Sequence, residues 1–177
     1  MSPVIANYIL GLLEKYCYDD LTSNCDIYGG FYQWAEAVQY LNGATNTTSW
    51  NPSPTGNVQG ICPAGWHIPA DAEWTQMTDF LGGSLVAGGK MKETGTTHWL
   101  DPNGDATNSI GFTILGSGHR EPNGTFTDIH GYSNYWSSTE YSATFPWSRA
   151  LGFLDGIIWT DSQWEKTKGF SVRCLKN

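Results

Sequence analysis

Along the chain, apolar residues first fall into two helical stripes and then into short alternating runs. In "GGFYQWAEAVQYLNG", Phe31, Trp34, Ala35 and Val38 recur at i, i+3, i+4 and i+7, and Gly30 and Gly43 bracket the run. This spacing predicts a first helix. In "IPADAEWTQMTDFLGG", Trp74, Met77 and Leu81 form a second stripe with Phe80 beside it, and Gly82 and Gly83 end it. Asp71 and Glu73 lie in its first turn, where the positive helix end favours carboxylates, so they read as helix-end electrostatics rather than acid–base machinery. Between the stripes, residues 42–60 are rich in Thr, Asn, Ser, Pro and Gly and read as a surface loop. Beyond Gly83 the chain becomes Gly- and Asn-rich with short apolar runs. In the last of these, Phe170, Val172 and Cys174 alternate with Ser171 and Arg173, the period of a half-buried strand. The pattern predicts one α+β domain over residues 1–177, with two helices, short strands and long loops.

Composition narrows the class. Charged residues are 15% of the chain, against about 25% in an ordinary globular protein, while 21 glycines and 9 tryptophans are many for 177 residues. Such a chain suits loops packed on aromatic rings. A net charge of −8 with only 9 Lys and Arg gives a phosphate backbone little to bind, so nucleic acid is not an expected partner. No apolar run approaches the roughly 18 residues of a membrane span, so no membrane insertion is expected. The stretch "VIANYILGLL" at residues 4–13 lacks a basic flank and a cleavage site and is not read as a signal peptide.

Candidate chemistry is sparse. Four cysteines, at 17, 25, 62 and 174, lack the paired short spacing of a zinc site and allow three disulfide connectivities. They divide into a local pair, Cys17–Cys25, and a long-range pair, Cys62–Cys174, which favours disulfides over four reduced thiols. His67, His98, His119 and His130 are scattered, and neither a nucleophile elbow nor a phosphate loop occurs. Asp101, Asn103 and Asp105 in "DPNGDATN" resemble the start of a calcium loop, but the terminal Glu is missing, so it is not an EF-hand. A loop calcium site built partly from carbonyl oxygens stays open there, beside the plainer reading of a polar turn; no other cofactor is expected. Asn46 and Asn123 match the N-glycosylation pattern. No enzyme constellation emerges.

Five blocks carry a resemblance: "CYDDLTSNCDIYGGFYQWAEAVQY", "GICPAGWHIPADAEWTQMTDFLGG", "AGGKMKETGTTHW", "GFTILGSGHREPNGTFTDI" and "YWSSTE…GFSVRC". Together they resemble the Fibrobacter succinogenes major paralogous domain family, from about Tyr16 to Lys176. The resemblance implies a C-type lectin-like fold of the formylglycine-generating-enzyme type: two helices, a small antiparallel sheet, long loops and neighbouring termini. Where family members carry Thr in a capping box with Glu73, this chain has Ala70, a loss of about 1 kcal/mol. The cysteines do not match the active-site pair of formylglycine-generating enzymes, so that activity is not carried over. The tripeptide Glu121-Pro122-Asn123 matches one half of a lectin calcium motif, but its "WND" companion is missing, and the match reads as coincidence.

The same fold type carries the variable proteins of diversity-generating retroelements, in which adenines of AAY codons are replaced near the 3′ end of the gene. Between "YWSSTE" and "GFSVRC" this chain places an insert of about 141–168 that departs from the family's usual Tyr, Ser and Asn filling. Substitution of AAY codons can produce Phe145, Pro146, Ser148, Ala150, Gly152, Phe153, Asp155, Ile157, Ile158, Thr160, Asp161 and Ser162. It cannot produce Trp147, Trp159, Gln163, Trp164, Glu165, Lys166 or Lys168, which therefore read as framework, the tryptophans holding the loop down. The expectation is a non-enzymatic ligand- or receptor-binding protein that displays those twelve side chains toward a protein or glycan target on another cell or surface. Its expected location is extracellular, on a cell surface or on a virion. On this expectation, Ser at Phe153 and Ile158 weakens binding without lowering the melting temperature. A structural surface module without a variable site is the alternative, and an enzyme related to the formylglycine-generating group the third reading.

Overall fold

In a computed structural model of the chain, residues 13–177 are described. The stretch at 4–13 lies outside them except for Leu13. The fold is α+β. A 3-10 turn at Tyr18–Asp20 leads into α1 (Thr22–Tyr28), β1 (Phe31–Tyr32), α2 (Trp34–Ala37) and a second 3-10 turn, Leu41–Gly43. After β2 (Trp66–His67), α3 (Asp71–Phe80) and α4 (Ser84–Met91) follow in succession. The remaining strands are β3 (Ser117–Arg120), β4 (Phe126–Ile129), β5 (Tyr132–Glu140), β6 (Pro146–Gly152), β7 (Ile158–Asp161), β8 (Phe170–Ser171) and β9 (Leu175–Lys176).

The second predicted helix forms as α3, with Trp74 and Leu81 buried and Phe80 exposed. Its missing cap is replaced from elsewhere. Ala70 has no side-chain acceptor, but its own N–H donates to Glu73 Oε2 (2.8 Å), and the Asp71 N–H donates to Thr139 Oγ1 of β5 (3.0 Å). The first predicted helix shrinks to the single turn α2. Phe31 and Tyr32 are drawn into a strand by Ser171 and Phe170, and Gln39 and Tyr40 take positive φ of 54° and 52°, which ends the turn. Two helices go beyond the expected pair. α1 has no buried residue and hence no stripe to read. α4 contains Gly88 and Gly89, poor helix formers that the tertiary structure requires. A Cβ at Gly88 would lie 2.6 Å from the Ile157 carbonyl oxygen, and one at Gly89 2.3 Å from that of Asp105.

The main sheet has seven strands and is mixed rather than purely antiparallel. β5 is its central strand: β6 runs antiparallel along one edge with β7 outside it, while β3 and β8 share the other edge, both parallel to β5. Side chains of β5 alternate between two cores, as the strand period demands. Trp136 packs with Trp34, Trp50, Ile68 and Phe170, whereas Tyr135 packs with Trp74, Met91, Leu151 and Ile158. Tyr16 pairs with Phe31, and Phe31 with Ser171, so the first described residues lie beside the last strands. Both expected disulfides form. Cys17–Cys25 ties α1 to the residue before the first turn, and Cys62–Cys174 ties mid-chain to the C-terminal strands.

Candidate functional site

The insert of 141–168 folds as the β6–β7 hairpin and its flanks. Pairing register sets its two faces. Leu151 and Ile158 face each other on the core side, and Arg149 pairs with Thr160 on that same face. The other face carries Ser148, Ala150 and Gly152 of β6, Trp159 and Asp161 of β7, and Tyr132, Asn134 and Trp136 of β5. Phe170 stacks on Trp136 at a centroid distance of 4.2 Å and covers that end. Among the described residues the other end is more open, and there Tyr132 and Trp159 stand 6.4 Å apart, 38% and 36% exposed. Trp164, also 36% exposed, reaches the same face from the loop after β7, 6.5 Å from His119. His119 in turn lies beside Asn134.

This geometry sorts the twelve predicted positions. Four of them are buried and cannot be contact residues. Ile158 is 1% exposed in the second core. Ser148 is buried with its hydroxyl donating to the Asp161 carbonyl (3.3 Å), and Pro146 is buried where β6 begins. Gly152 is buried, and a Cβ there would press on the Tyr132 and Trp159 rings at 3.1 and 3.2 Å. The expectation that Ser at Ile158 leaves stability untouched is therefore corrected. Phe153 is half-buried against the second core. Thr160 is exposed, and Phe145, Ala150, Asp155, Ile157, Asp161 and Ser162 are half-buried at the rim.

The tryptophans expected as anchors are only partly buried: Trp159 and Trp164 are each 36% exposed, and Trp147 is half-buried with its ring 5.2 Å from exposed Tyr141. Gln163 and Glu165 are exposed as well. Buried cations hold the segment instead. Lys166 is fully buried, ion-paired with Glu140, 4.2 Å from the Trp34 ring, and donates to the Thr45 and Thr48 carbonyls. Arg149 binds Asp71 Oδ1 (2.6 Å) and Thr75 Oγ1 (3.1 Å), locking β6 to α3. Lys168 donates to both oxygens of Glu121 (2.6 and 2.7 Å) and sits 4.5 Å from the Trp164 ring. Burial raises the Glu121 pKa, but hydrogen bonds from Lys168 and His119 outweigh it and hold the carboxyl below its ordinary range.

Lys92, from the end of α4, does the same for the hairpin turn. Its ammonium donates to the carbonyls of Gly104 (2.9 Å), Gly152 (2.9 Å) and Asp155 (2.7 Å) and lies 5.3 Å from the Trp99 ring. Burial lowers its pKa, opposed by Asp155 and Asp105. These converging carbonyl oxygens thus already hold a cation, one supplied by the chain. Two of the three calcium-loop residues make bonds within the fold: Asn103 donates to the Glu93 and Gly95 carbonyls, and Asp105 Oδ2 accepts from the Gly156 N–H (3.1 Å). Glu121-Pro122-Asn123 forms the β3–β4 turn, where Asn123 Oδ1 accepts from Thr125. Among the described residues no group of three or more His, Cys, Asp or Glu side chains is placed to hold a metal ion.

The five sequence blocks have a counterpart in one family model, which matches residues 9–176. The chain belongs to the Fibrobacter succinogenes major domain family. No curated protein and no solved structure matches it. Within this Fibrobacter succinogenes major domain, the frame of the insert was legible as "YWSSTE" and "GFSVRC", which form β5 and β8. The aromatic face was missed because its rings come from Tyr132, Trp159 and Trp164, which only the pairing of β5, β6 and β7 and the loop after β7 bring together. Two disulfides suit an oxidising compartment, and no helix among the described residues is long and apolar enough to cross a membrane.

Proposed function

We propose that this family member is a non-enzymatic ligand- or receptor-binding protein on a C-type lectin-like scaffold, and that its contact surface is the open face of the C-terminal hairpin. The observation that carries this reading is the pairing of open aromatic rings with a rigid frame. Trp159, Trp164 and Tyr132 are 36%, 36% and 38% exposed, on or beside a segment whose carbonyls are held by Lys92 and which Arg149, Lys166 and Lys168 tie to Asp71, Glu140 and Glu121. Tryptophan and tyrosine are favoured contact residues because they bury a large area while losing little side-chain entropy. A prearranged backbone lowers the ordering cost further.

Retroelement diversification would then act around constant tryptophans rather than between them. Ala150 and Asp161 share the open face with Trp159 and are products that an AAY codon can yield, whereas tryptophan is not. The target is a protein or glycan on another surface, and the domain works outside the cell, on a cell surface or on a virion. All four cysteines are in disulfides, which supports the non-enzymatic reading over thiol chemistry of the formylglycine-generating type.

Screening the protein against glycan and surface-protein arrays supplies a target. Alanine at Trp159 and Trp164 should then weaken binding by about 30-fold each, or ~2 kcal/mol. The melting temperature should fall by only a few degrees. Unchanged affinity in both variants would sink the proposal. Sequencing the DNA around the gene tests diversification separately: a near-copy of the region encoding residues 135–174, differing only at adenines and beside a reverse transcriptase gene, is expected.

A further inference from the structure

Four buried side-chain polar atoms among the described residues have no hydrogen-bond partner: Trp74 Nε1, Asn103 Oδ1, Arg120 Nε and Ser171 Oγ. Folded proteins leave few such atoms, so each calls for an explanation. Two belong to residues that line adjoining hollows, which meet at Arg173 and Cys174 on a part of the molecule outside the 141–168 segment. The larger hollow, about 350 Å³, opens between the end of α1, β1 and β8. Tyr28, Tyr32, Tyr135, Ser171 and Arg173 line it, and no Asp or Glu does, in a chain of net charge −8. Ser171 is 5% exposed, and its hydroxyl is the orphan. Burial raises the Tyr32 and Tyr135 pKa values, so both stay phenols able to donate. Arg173 lies over the Phe112 ring (4.6 Å) and donates through one nitrogen to the Phe112 carbonyl (2.5 Å), which leaves further N–H groups for a ligand.

The smaller hollow, about 70 Å³, has mostly apolar walls from Pro69, Met77, Phe112 and Leu175; Glu73 also lines it, its carboxylate bonded to His67 Nε2 (3.0 Å) and to the Ala70 N–H (2.8 Å). Trp74, 1% exposed, lines it and carries the second orphan, the indole N–H.

We propose that the two hollows form one recognition site for an acidic, N-acetylated sugar. A single guanidinium among hydroxyls, without a second cation, suits a planar carboxylate better than a phosphate. The larger space is at the lower end of the range of ligand sites, the size for one sugar ring, whose hydroxyls meet Ser171 and the tyrosines. The smaller space takes an acetamido methyl, and the acetamido carbonyl accepts from Trp74 Nε1. Two sources share this chemistry: N-acetylneuraminic acid of cell-surface glycans and N-acetylmuramic acid of bacterial walls.

Calorimetric titration of the whole chain with each acid distinguishes them. N-acetylmannosamine, which lacks the carboxylate, and glucuronic acid, which lacks the acetamido group, serve as controls. At least one acid should bind saturably, and both controls about 10-fold more weakly or worse. Arg173→Gln should cost about 10-fold in affinity. Ser171→Ala is the sharper test: it should weaken binding about five-fold while the melting temperature holds or rises, because an orphan hydroxyl has been removed. Absence of saturable binding by either acid overturns the proposal, as does equal binding of a control. A Ser171→Ala variant that melts earlier and binds normally overturns it as well, since the hydroxyl would then be structural. The reading of the hairpin face stands or falls independently, because it uses none of these residues.

Discussion

Replacing Lys92 by Met removes the ammonium beneath the hairpin turn and keeps most of the side-chain volume. Three carbonyl oxygens, of Gly104, Gly152 and Asp155, then lose their shared donor in a site where Lys92 itself is 0% exposed. Each stranded buried acceptor costs roughly 1–3 kcal/mol. Relief from burying a charge offsets part of this, so the net loss resembles that of breaking a buried ion pair from one side, about 3–5 kcal/mol. At roughly 2–4 °C per kcal/mol for a domain of this size, the melting temperature should fall by about 10 °C. Urea unfolding followed by tryptophan fluorescence gives the same quantity from the shift in midpoint at constant slope. Hydrogen exchange localises it. The Gly104 N–H, bonded to Phe153, and the Gly89 N–H, bonded to Gly156, should lose protection before amides of β5 do. A drop of less than about 2 °C would refute the claim that this ammonium supports the hairpin turn, because it would mean the carbonyls find water at little cost.

Ile158→Ser should destabilise the fold by about 3–5 kcal/mol, since it empties a core position and buries a hydroxyl, whereas Trp159→Ala on the next residue should cost far less. Equal losses in chemical denaturation would mean that the two faces of β7 are wrongly assigned. Glu121→Gln tests the His119–Glu121–Lys168 cluster through pH. The folded carboxyl titrates below 4.5, so its contribution is complete above that value and disappears as pH falls through the folded pKa. The melting temperatures of wild type and variant should therefore differ at pH 6 and converge in acid; a gap that widens below pH 4.5 contradicts the assignment.

The sequence alone determined features that depend on local pattern. The stripe of Trp74, Met77 and Leu81 with glycines behind it is a helix in any setting that buries one face, and α3 forms. The spacing of cysteines into a near pair and a far pair foreshadowed both disulfides, and the blocks around the insert foreshadowed its frame. Tertiary structure overrode the pattern wherever a distant partner made the better offer. Phe31 leaves a helical stripe because it exchanges both backbone hydrogen bonds with Tyr16 while lying opposite Ser171 of β8, and α4 keeps its glycines because Ile157 and Asp105 approach too closely for a side chain. The orientation of the insert was decided in the same way. A large apolar ring is ordinarily expected inside and a lysine outside. Here Trp159 lies on the open face by the register of β7 with β6 and is 36% exposed, and Lys92 lies inside because carbonyls from residues 104, 152 and 155 converge to receive its charge. The carbonyl at 104 is far along the chain from those at 152 and 155 and adjacent only once it has folded, so only the tertiary structure could show that a buried lysine would find its partners.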